Sequence, residues 1–368
     1  MKPVPSDIYR QLQAEIGPDA RLDEPMSRHT SFRVGGPADL FVRVRSSSAL
    51  EQLVPLIGGT GVPWRLLGGG TNVLVADAGI RGCILSLESD KPELELLEER
   101  TPPGGAPEVL VRIQTGSKLI AVARKAVDLG LGGLEWAIGL PGTVGGATVN
   151  NAGAHGADIA AVFRAATAVN SAGALMRLSL EDMAYSYRYS AFKGGRRDVA
   201  LITVDICLRR GSREALLETA RRFDDARKQR QPTGLTAGSV FKNPPGDHAG
   251  RLVEISGLKG LKMGGAQVSS QHGNFFLNIG GATAGDLYSL VRAVQDAVWE
   301  RRGVWMEPEI ELLGEWTESE RAALAKPSGV GAHPSTVSDR QAAEEPRGPS
   351  DTDDPDFSPQ SGENKANS

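Results

Sequence analysis

The chain has 368 residues, 40% of them hydrophobic, and a formal net charge of -4. That is enough apolar material for two or more domains, and the scattered basic residues exclude nucleic-acid binding driven by charge. The opening Met1-Lys-Pro-Val-Pro lacks the apolar core of a signal peptide, and no window reaches the roughly 18 apolar residues of a membrane span, so a cytoplasmic address without membrane insertion is expected.

Residues 1 to 27 read as a short helix and a connector, followed by a turn and an alternating strand over Thr30 to Val44. Ser48-Ala-Leu-Glu51 has capping-box spacing before an apolar run and predicts a helix start. Trp64-Arg-Leu-Leu67 is a strand that runs into Gly68-Gly-Gly-Thr-Asn72, and two more strands follow, Val73 to Val75 and Cys83 to Leu87. The stretch from Glu88 to Pro107 is a surface hairpin or loop, and Glu108 to Gln114 alternates as a strand. From Ser117 to Gly130 the positions of Leu119, Val122, Ala123, Ala126 and Val127 predict an amphipathic helix that glycine ends. A second glycine-rich stretch, Gly139 to Gly156, comes next and carries no charged side chain apart from the titratable His155.

Short strands return over Arg164 to Val169, Leu175 to Leu178 and Ala200 to Leu208, with an aromatic patch around Arg188 between the last two. The helix from Arg213 to Arg230 turns Leu216, Ala220 and Phe223 to one face and stops at Pro232. Beyond it lie a short helix (Gly250 to Ser256), a strand (Asn274 to Ile279) and a longer helix. Thr283 caps that helix, and its apolar face is Leu287, Leu290, Val291, Val294 and Val298. A last strand, Trp305 to Leu313, is expected to complete a compact second domain. After residue 317 the composition turns to Ser, Pro, Asp, Glu and Gly, and this tail is expected to be disordered.

Glycine runs let backbone amides approach an anion closely, and two of them suit a large phosphorylated ligand; each run alone is equally a set of tight turns. Neither has the Gly-Lys-Ser/Thr ending of a Walker A loop or the Gly-x-Gly-x-x-Gly spacing of a Rossmann turn. The five histidines are dispersed, so no metal site is expected, and Cys83 and Cys207 read as buried small hydrophobes. Glu307, Glu309 and Glu311 alternate as on a half-solvated edge strand. By themselves Arg188 reads as a surface arginine stacked on tyrosine and Ser239 as a turn residue.

The ordered set is far more specific than its members. It comprises Gly68-Gly-Gly-Thr-Asn72, Gly139-Leu-Pro-Gly-Thr-Val-Gly-Gly146, Asn151-Ala-Gly-Ala-His-Gly156, Tyr187-Arg-Tyr-Ser190, Gly238-Ser-Val-Phe-Lys-Asn-Pro244, Gly264-Gly-Ala-Gln-Val268 and Glu307-Pro-Glu309. From Thr30 to about Gly314 the chain resembles the UDP-N-acetylenolpyruvoylglucosamine reductase (MurB) family, in the shorter subclass without a tyrosine-loop insertion.

The resemblance implies an α+β fold: an FAD-binding domain of the vanillyl-alcohol-oxidase/PCMH type over 1–211, with lobes at about 1–87 and 88–211, and a substrate-binding domain over 212–316. The tail is 317–368. It implies FAD held by Gly68, Gly69, Gly70, Thr71 and Asn72 on one side and by Gly142, Thr143, Gly145, Gly146, Asn150 and Gly153 on the other. NADPH is the implied co-substrate, and the reaction is reduction of UDP-N-acetylglucosamine enolpyruvate to UDP-N-acetylmuramate for peptidoglycan. Arg188 and Glu309 match the residues beside the substrate carboxylate, and Ser239 the proton donor. Arg230, Asn243 and Tyr187 match substrate-binding positions. Arg230 stands where relatives commonly carry lysine, and Glu311 where they often carry arginine near the flavin. A monomer is expected. The rival readings are another flavin oxidase or dehydrogenase of the same fold, and a noncatalytic flavin- or nucleotide-binding module.

Overall fold

The computed structural model describes residues 6–325 except 90, 93 and 194–197, so expectations for 1–5 and 326–368 lie outside the described residues. The first lobe is a four-stranded sheet in the order Ala20–Pro25, Pro37–Val44, Ile80–Leu87, Trp64–Leu67. Its last three strands run parallel, as the intervening helix Leu50–Gly58 requires. Leu50, Val54 and Ile57 of that helix are buried against Leu40, Val42 and Leu85 of the sheet. The cap differs from the expected Ser48: a 3₁₀ turn over Ser47–Ala49 precedes the helix, and Ser46 accepts the Ala49 amide instead.

The second lobe is an antiparallel sheet ordered Leu175–Leu178, Phe163–Asn170, Val199–Arg210, Glu108–Gln114, Leu94–Arg100. The 94–114 segment is thus the hairpin that its charge and proline content suggested. Helix Leu119–Asp128 packs on this sheet through the five expected residues, and Gly130, at φ +69°, ends it. Val199–Arg210 is buried continuously from Ala200 to Leu208 because it serves two cores. A bulge opposite Thr167 and Ala168 switches its faces, so that Ala200 and Ile202 join the first lobe while Val204, Ile206 and Leu208 join the second.

Helix Arg213–Arg230 packs through Leu216, Leu217, Ala220 and Phe223 against the second lobe. The expected boundary at 211/212 groups this helix with the third part of the chain; its packing groups it with the lobe before it. The third part holds the short sheet Lys262–Met263, Ala266–Val268, Phe276–Asn278 and the helix Ala284–Arg302. Thr283 and Asp286 form a capping box at the start of that helix, and Gly303, at φ +67°, ends it.

Two expectations are corrected here. The last strand, Glu311–Leu313, does not close the third part: it pairs in parallel with Val73–Val75 of the first lobe. Phe32, Val34 and Leu74 of that lobe accordingly share one core with Val291, Val294 and Met306. The polar tail also begins later than residue 317. Thr317 and Glu320 form a capping box for helix Glu318–Leu324, and Leu324, 6% exposed, is buried in the same core. Besides the cap and Leu324, hydrogen bonds from Tyr288 to the Glu320 carbonyl, from Gln295 to the Leu324 carbonyl and from Arg321 to the Leu312 and Gly314 carbonyls dock this segment, which composition alone reads as unstructured.

Asp77 of the first lobe caps the Ala284–Arg302 helix from outside, its two oxygens accepting the amides of Ala284 at 2.8 Å and Gly285 at 2.9 Å. Asp77→Ala should therefore lower stability by about 1–2 kcal/mol. A reduced urea midpoint would show this, and an unchanged midpoint would mean that the cap contributes nothing.

Candidate active site

The two glycine runs face each other across a cleft of about 430 Å³. Their glycines are needed first for contact with one another and with the surrounding chain. A Cβ on Gly68 would lie 2.3 Å from Thr143 Oγ1, and one on Gly142, at φ +106°, 2.9 Å from Thr71 Oγ1. Any side chain there would push the runs apart. The second run is not the continuous loop that its glycine content suggested. It contains helix Val144–Asn150, capped by Thr143, whose Oγ1 accepts the Gly146 amide at 3.2 Å. The amides of Val144 and Gly145 go to the carbonyls of Ser117 and Thr115. These three amides are thus engaged within the protein, whereas Gly69, Gly70 and Thr71 line the cleft and donate no amide hydrogen bond among the described residues. Neutral donors of this kind beside a dry wall of Leu67, Val73 and Leu119 fit a phosphorylated, partly aromatic ligand.

Arg188 is fixed by the end of the second glycine run. Its φ of +55° is unusual for a side-chain-bearing residue, and its terminal nitrogens donate to the carbonyls of Asn151 (3.3 Å) and Gly153 (2.6 Å). Its Nε lies 3.0 Å from Glu309 Oε1, and the two side chains are only 19% and 18% exposed. Burial raises the Glu309 carboxyl above the usual carboxylate range, against the pull of Arg188, Lys193 and Lys242.

Ser239 reaches the same cleft by backbone pairing on both edges of its segment. Ser239 bridges Phe275 on one side; on the other, Glu309 N donates to Val240 O at 2.8 Å, and Lys242 N to Glu307 O at 2.8 Å. The Ser239 hydroxyl makes no hydrogen bond among the described residues. One cleft therefore holds Arg188, Ser239 and Glu309, together with Gly68, Gly69, Gly70, Thr71, Asn72, Gly142, Thr143, Gly145, Gly146, Asn150 and Gly153. Asn72 ties the parts together, donating to Asn150 Oδ1 and to the Glu309 carbonyl, each at 3.2 Å.

The remaining expected residues divide. Tyr187 and Asn243 do not line the cleft but meet beside it, the tyrosine oxygen accepting the Asn243 amide at 3.4 Å. The Asn243 side chain accepts from Ala249 N and contacts His248. Arg230 is exposed and does not line the cleft; Arg227, three residues earlier on the same helix, and the neighbouring Gln231 do. Burial holds the Arg227 guanidinium below its ordinary basicity, with Asp224 acting the other way, and it makes no hydrogen bond among the described residues.

Of the three glutamates expected on a half-solvated edge strand, Glu307 is exposed, Glu309 and Glu311 are mostly buried, and only Glu311 lies in a strand. Glu307 pairs with Lys242 at 2.7 Å, Glu309 with Arg188, and Glu311 with Arg65 on the strand leading into the first glycine run. The sequence motifs assign no role to Lys193, Arg65, Lys242 or Arg227. Their signal was proximity: each lies within five residues of a motif residue already singled out. No group of three metal-ligating side chains occurs among the described residues.

Residues 38–179 match an FAD binding domain family, and residues 230–313 match the C-terminal domain of UDP-N-acetylenolpyruvoylglucosamine reductase. The chain is 40% identical over 309 residues to the UDP-N-acetylenolpyruvoylglucosamine reductase of Bacillus licheniformis, an alignment covering 84% of this chain and 98% of that one. With the Bacillus subtilis reductase it shares 38% over 308 residues, covering 83% and 98%. Among solved structures it resembles the Thermus caldophilus reductase (MurB), with a TM-score of 0.64 and 32% identity over 80% of this chain and 99% of that one.

The Glu309 carboxyl holds its proton more tightly in the folded chain than in the unfolded one, so its contribution to stability is present at low pH and is lost as pH rises through the raised folded value. Unfolding midpoints of wild type and Glu309→Gln should therefore diverge in favour of the glutamine variant as pH rises from about 4.5. A constant difference across that range would show that Glu309 titrates as an ordinary carboxylate.

Proposed function

The chain belongs to the UDP-N-acetylenolpyruvoylglucosamine reductase family, and on that premise we propose how its residues divide the work of the reaction. The enzyme is an FAD-dependent oxidoreductase that reduces the enolpyruvyl group of UDP-N-acetylglucosamine enolpyruvate in peptidoglycan synthesis, with NADPH as co-substrate. Bound FAD supplies a hydride carrier between NADPH and the enolpyruvyl group. The observation that carries the assignment of roles is the convergence of Arg188, Glu309 and Ser239 on the cleft between the glycine runs.

Arg188 binds the enolpyruvyl carboxylate. Three of its five N–H groups are engaged by Glu309, Asn151 and Gly153. One N–H on each terminal nitrogen remains, a pair that matches the two oxygens of a carboxylate. Hydride addition to the terminal carbon leaves negative charge on the neighbouring carbon and its carboxylate. A protonated Glu309 donates a hydrogen bond to that charge; burial already favours its neutral form, and an anionic substrate favours it further. Ser239 then delivers its hydroxyl proton to the carbon and regains one from solvent.

Gly69, Gly70 and Thr71 offer amides to the cofactor, and the glycine-to-glycine contact holds both runs at the separation the cofactor needs. Arg227 takes the role that the sequence assigned to Arg230, as the cation available to a phosphate group in the cleft, while Tyr187 and Asn243 hold the substrate beside it. The proposal includes a monomer in the cytoplasm, where the highly charged UDP-sugar and NADPH are confined. No helix among the described residues is long and apolar enough to cross a membrane.

Ser239→Ala separates the half-reactions: anaerobic bleaching of the flavin by NADPH should stay within about twofold of wild type, while its recovery on adding the enolpyruvyl substrate slows by at least about 100-fold. Normal recovery would remove Ser239 from the mechanism. Arg227→Gln should weaken retention of FAD or binding of the UDP-sugar by about tenfold or more, and Arg230→Gln should leave both unchanged. The opposite pattern would restore the role to Arg230.

A further inference from the structure

Lys193 is a half-buried cation that the roles above do not use. It lies five residues beyond Arg188, on a segment that Ser190 anchors by donating to the Val149 carbonyl at 2.6 Å. Its ammonium donates to the main-chain carbonyl of Glu309 at 3.1 Å, the oxygen that also accepts from Asn72. Burial depresses its basicity, while the negative charges of Glu309, Glu311 and Glu307 oppose that effect and Lys242 adds to it. The other cations facing the 307–311 segment each sit on one carboxylate: Lys242 on Glu307, Arg188 on Glu309 and Arg65 on Glu311. Lys193 instead donates to the main chain of that segment.

We propose that Lys193 is a positioning residue for the reaction: it pins the Glu309 carbonyl to the flavin domain and supplies the countercharge against which the Glu309 carboxyl gains and loses its proton. Two features of the geometry support this. A lysine drawn out of water to reach a neutral carbonyl recovers only part of its desolvation cost from that hydrogen bond, and the three glutamates of the 307–311 segment supply the nearby negative charge that offsets more of it. The carbonyl it holds belongs to the very residue that hydrogen-bonds Arg188, so any rotation of residue 309 away from the cleft would break both contacts. The charged groups facing the Glu309 carboxyl are Arg188, Lys193 and Lys242. Loss of one of these three cations moves its titration upward.

The catalytic consequence rests on the role assigned to Glu309 above, whereas the electrostatic claim does not. The test is therefore two measurements on the full-length FAD-loaded enzyme and its Lys193→Gln and Lys193→Arg variants. Glutamine keeps a donor for the carbonyl and loses the charge; arginine keeps the charge. In the first measurement the Glu309 carboxyl is followed by ¹³C NMR during a pH titration, its signal assigned by its loss in Glu309→Gln. The midpoint should rise by about one pH unit in Lys193→Gln and return towards wild type in Lys193→Arg. An unmoved midpoint in the folded Lys193→Gln protein overturns the proposal, as does a rise of the same size in Lys193→Arg.

The second measurement is the pH profile of flavin reoxidation by the enolpyruvyl substrate. Its acidic-group limb should shift with the NMR midpoint in Lys193→Gln. A shifted midpoint with an unshifted profile would leave Lys193 as Glu309's countercharge and sink the catalytic role of Glu309 instead. If Lys193→Gln fails to fold, the titration is made on Lys193→Met, which also removes the charge: the same rise supports the proposal and an unmoved midpoint overturns it.

Discussion

The site depends on one piece of backbone geometry, the course of residues 307 to 313 between two partners. Its first half pairs with the segment carrying Ser239, through Glu309 N to Val240 O and Lys242 N to Glu307 O. Its second half pairs with the strand that follows the first glycine run, through Glu311, Leu312 and Leu313 on Val73, Leu74 and Val75. A strand that is paired this way cannot slide without turning alternate side chains to the wrong face. Glu309 sits at the junction, and its carboxyl is thereby delivered to the cleft that the first glycine run, from a distant part of the sequence, also lines. The shared core of Leu74, Phe32 and Val34 with Val291 and Met306 holds the arrangement from behind.

That geometry concentrates charge in a place with little water. Glu309 and Arg188 are each less than one-fifth exposed, and Arg227 and Lys193 are both held below their ordinary basicity by burial. A buried pair of this sort is a weak source of stability, because desolvation offsets most of the attraction. Its value lies in poise. A carboxyl with a raised pKa beside an arginine with N–H groups to spare can hand a hydrogen bond to a developing anion without reorganising solvent. The fold tolerates the cost because the neighbouring contacts are neutral and well satisfied: Thr143 on Gly146, Asn150 on the Gly146 carbonyl, Asn151 on the Ser186 carbonyl.

Much of this was legible in the sequence because it is local. The faces of the 119–128 and 284–302 helices and their terminating glycines follow from side-chain period and backbone conformation, and the structure has the same residues buried. The ordered motifs also named the residues that converge on the cleft. What stayed hidden was set by tertiary partners. Nothing in the spacing of Glu307, Glu309 and Glu311 says that each will meet a cation from a different segment, or that the strand will join the first lobe. The Gln-Pro motif points to the adjoining Arg230, and nothing in the sequence marks Arg227, three residues earlier, as the arginine that lines the cleft. The glycine-rich run concealed a short helix, since glycine content reports close approach rather than secondary structure. Leu324 and hydrogen bonds to the Glu320 and Leu324 carbonyls dock a segment whose polar composition argues against order.

The central claim is that one cleft, assembled by that strand, performs both halves of a flavin-mediated reduction. Anaerobic rapid mixing of the wild-type enzyme tests it most directly, first with NADPH and then, after the nicotinamide is removed, with UDP-N-acetylglucosamine enolpyruvate. The account predicts that the visible flavin absorbance bleaches with the first addition and returns in full with the second, one substrate reduced per flavin. Bleaching without recovery, or recovery only when oxygen is admitted, would contradict it.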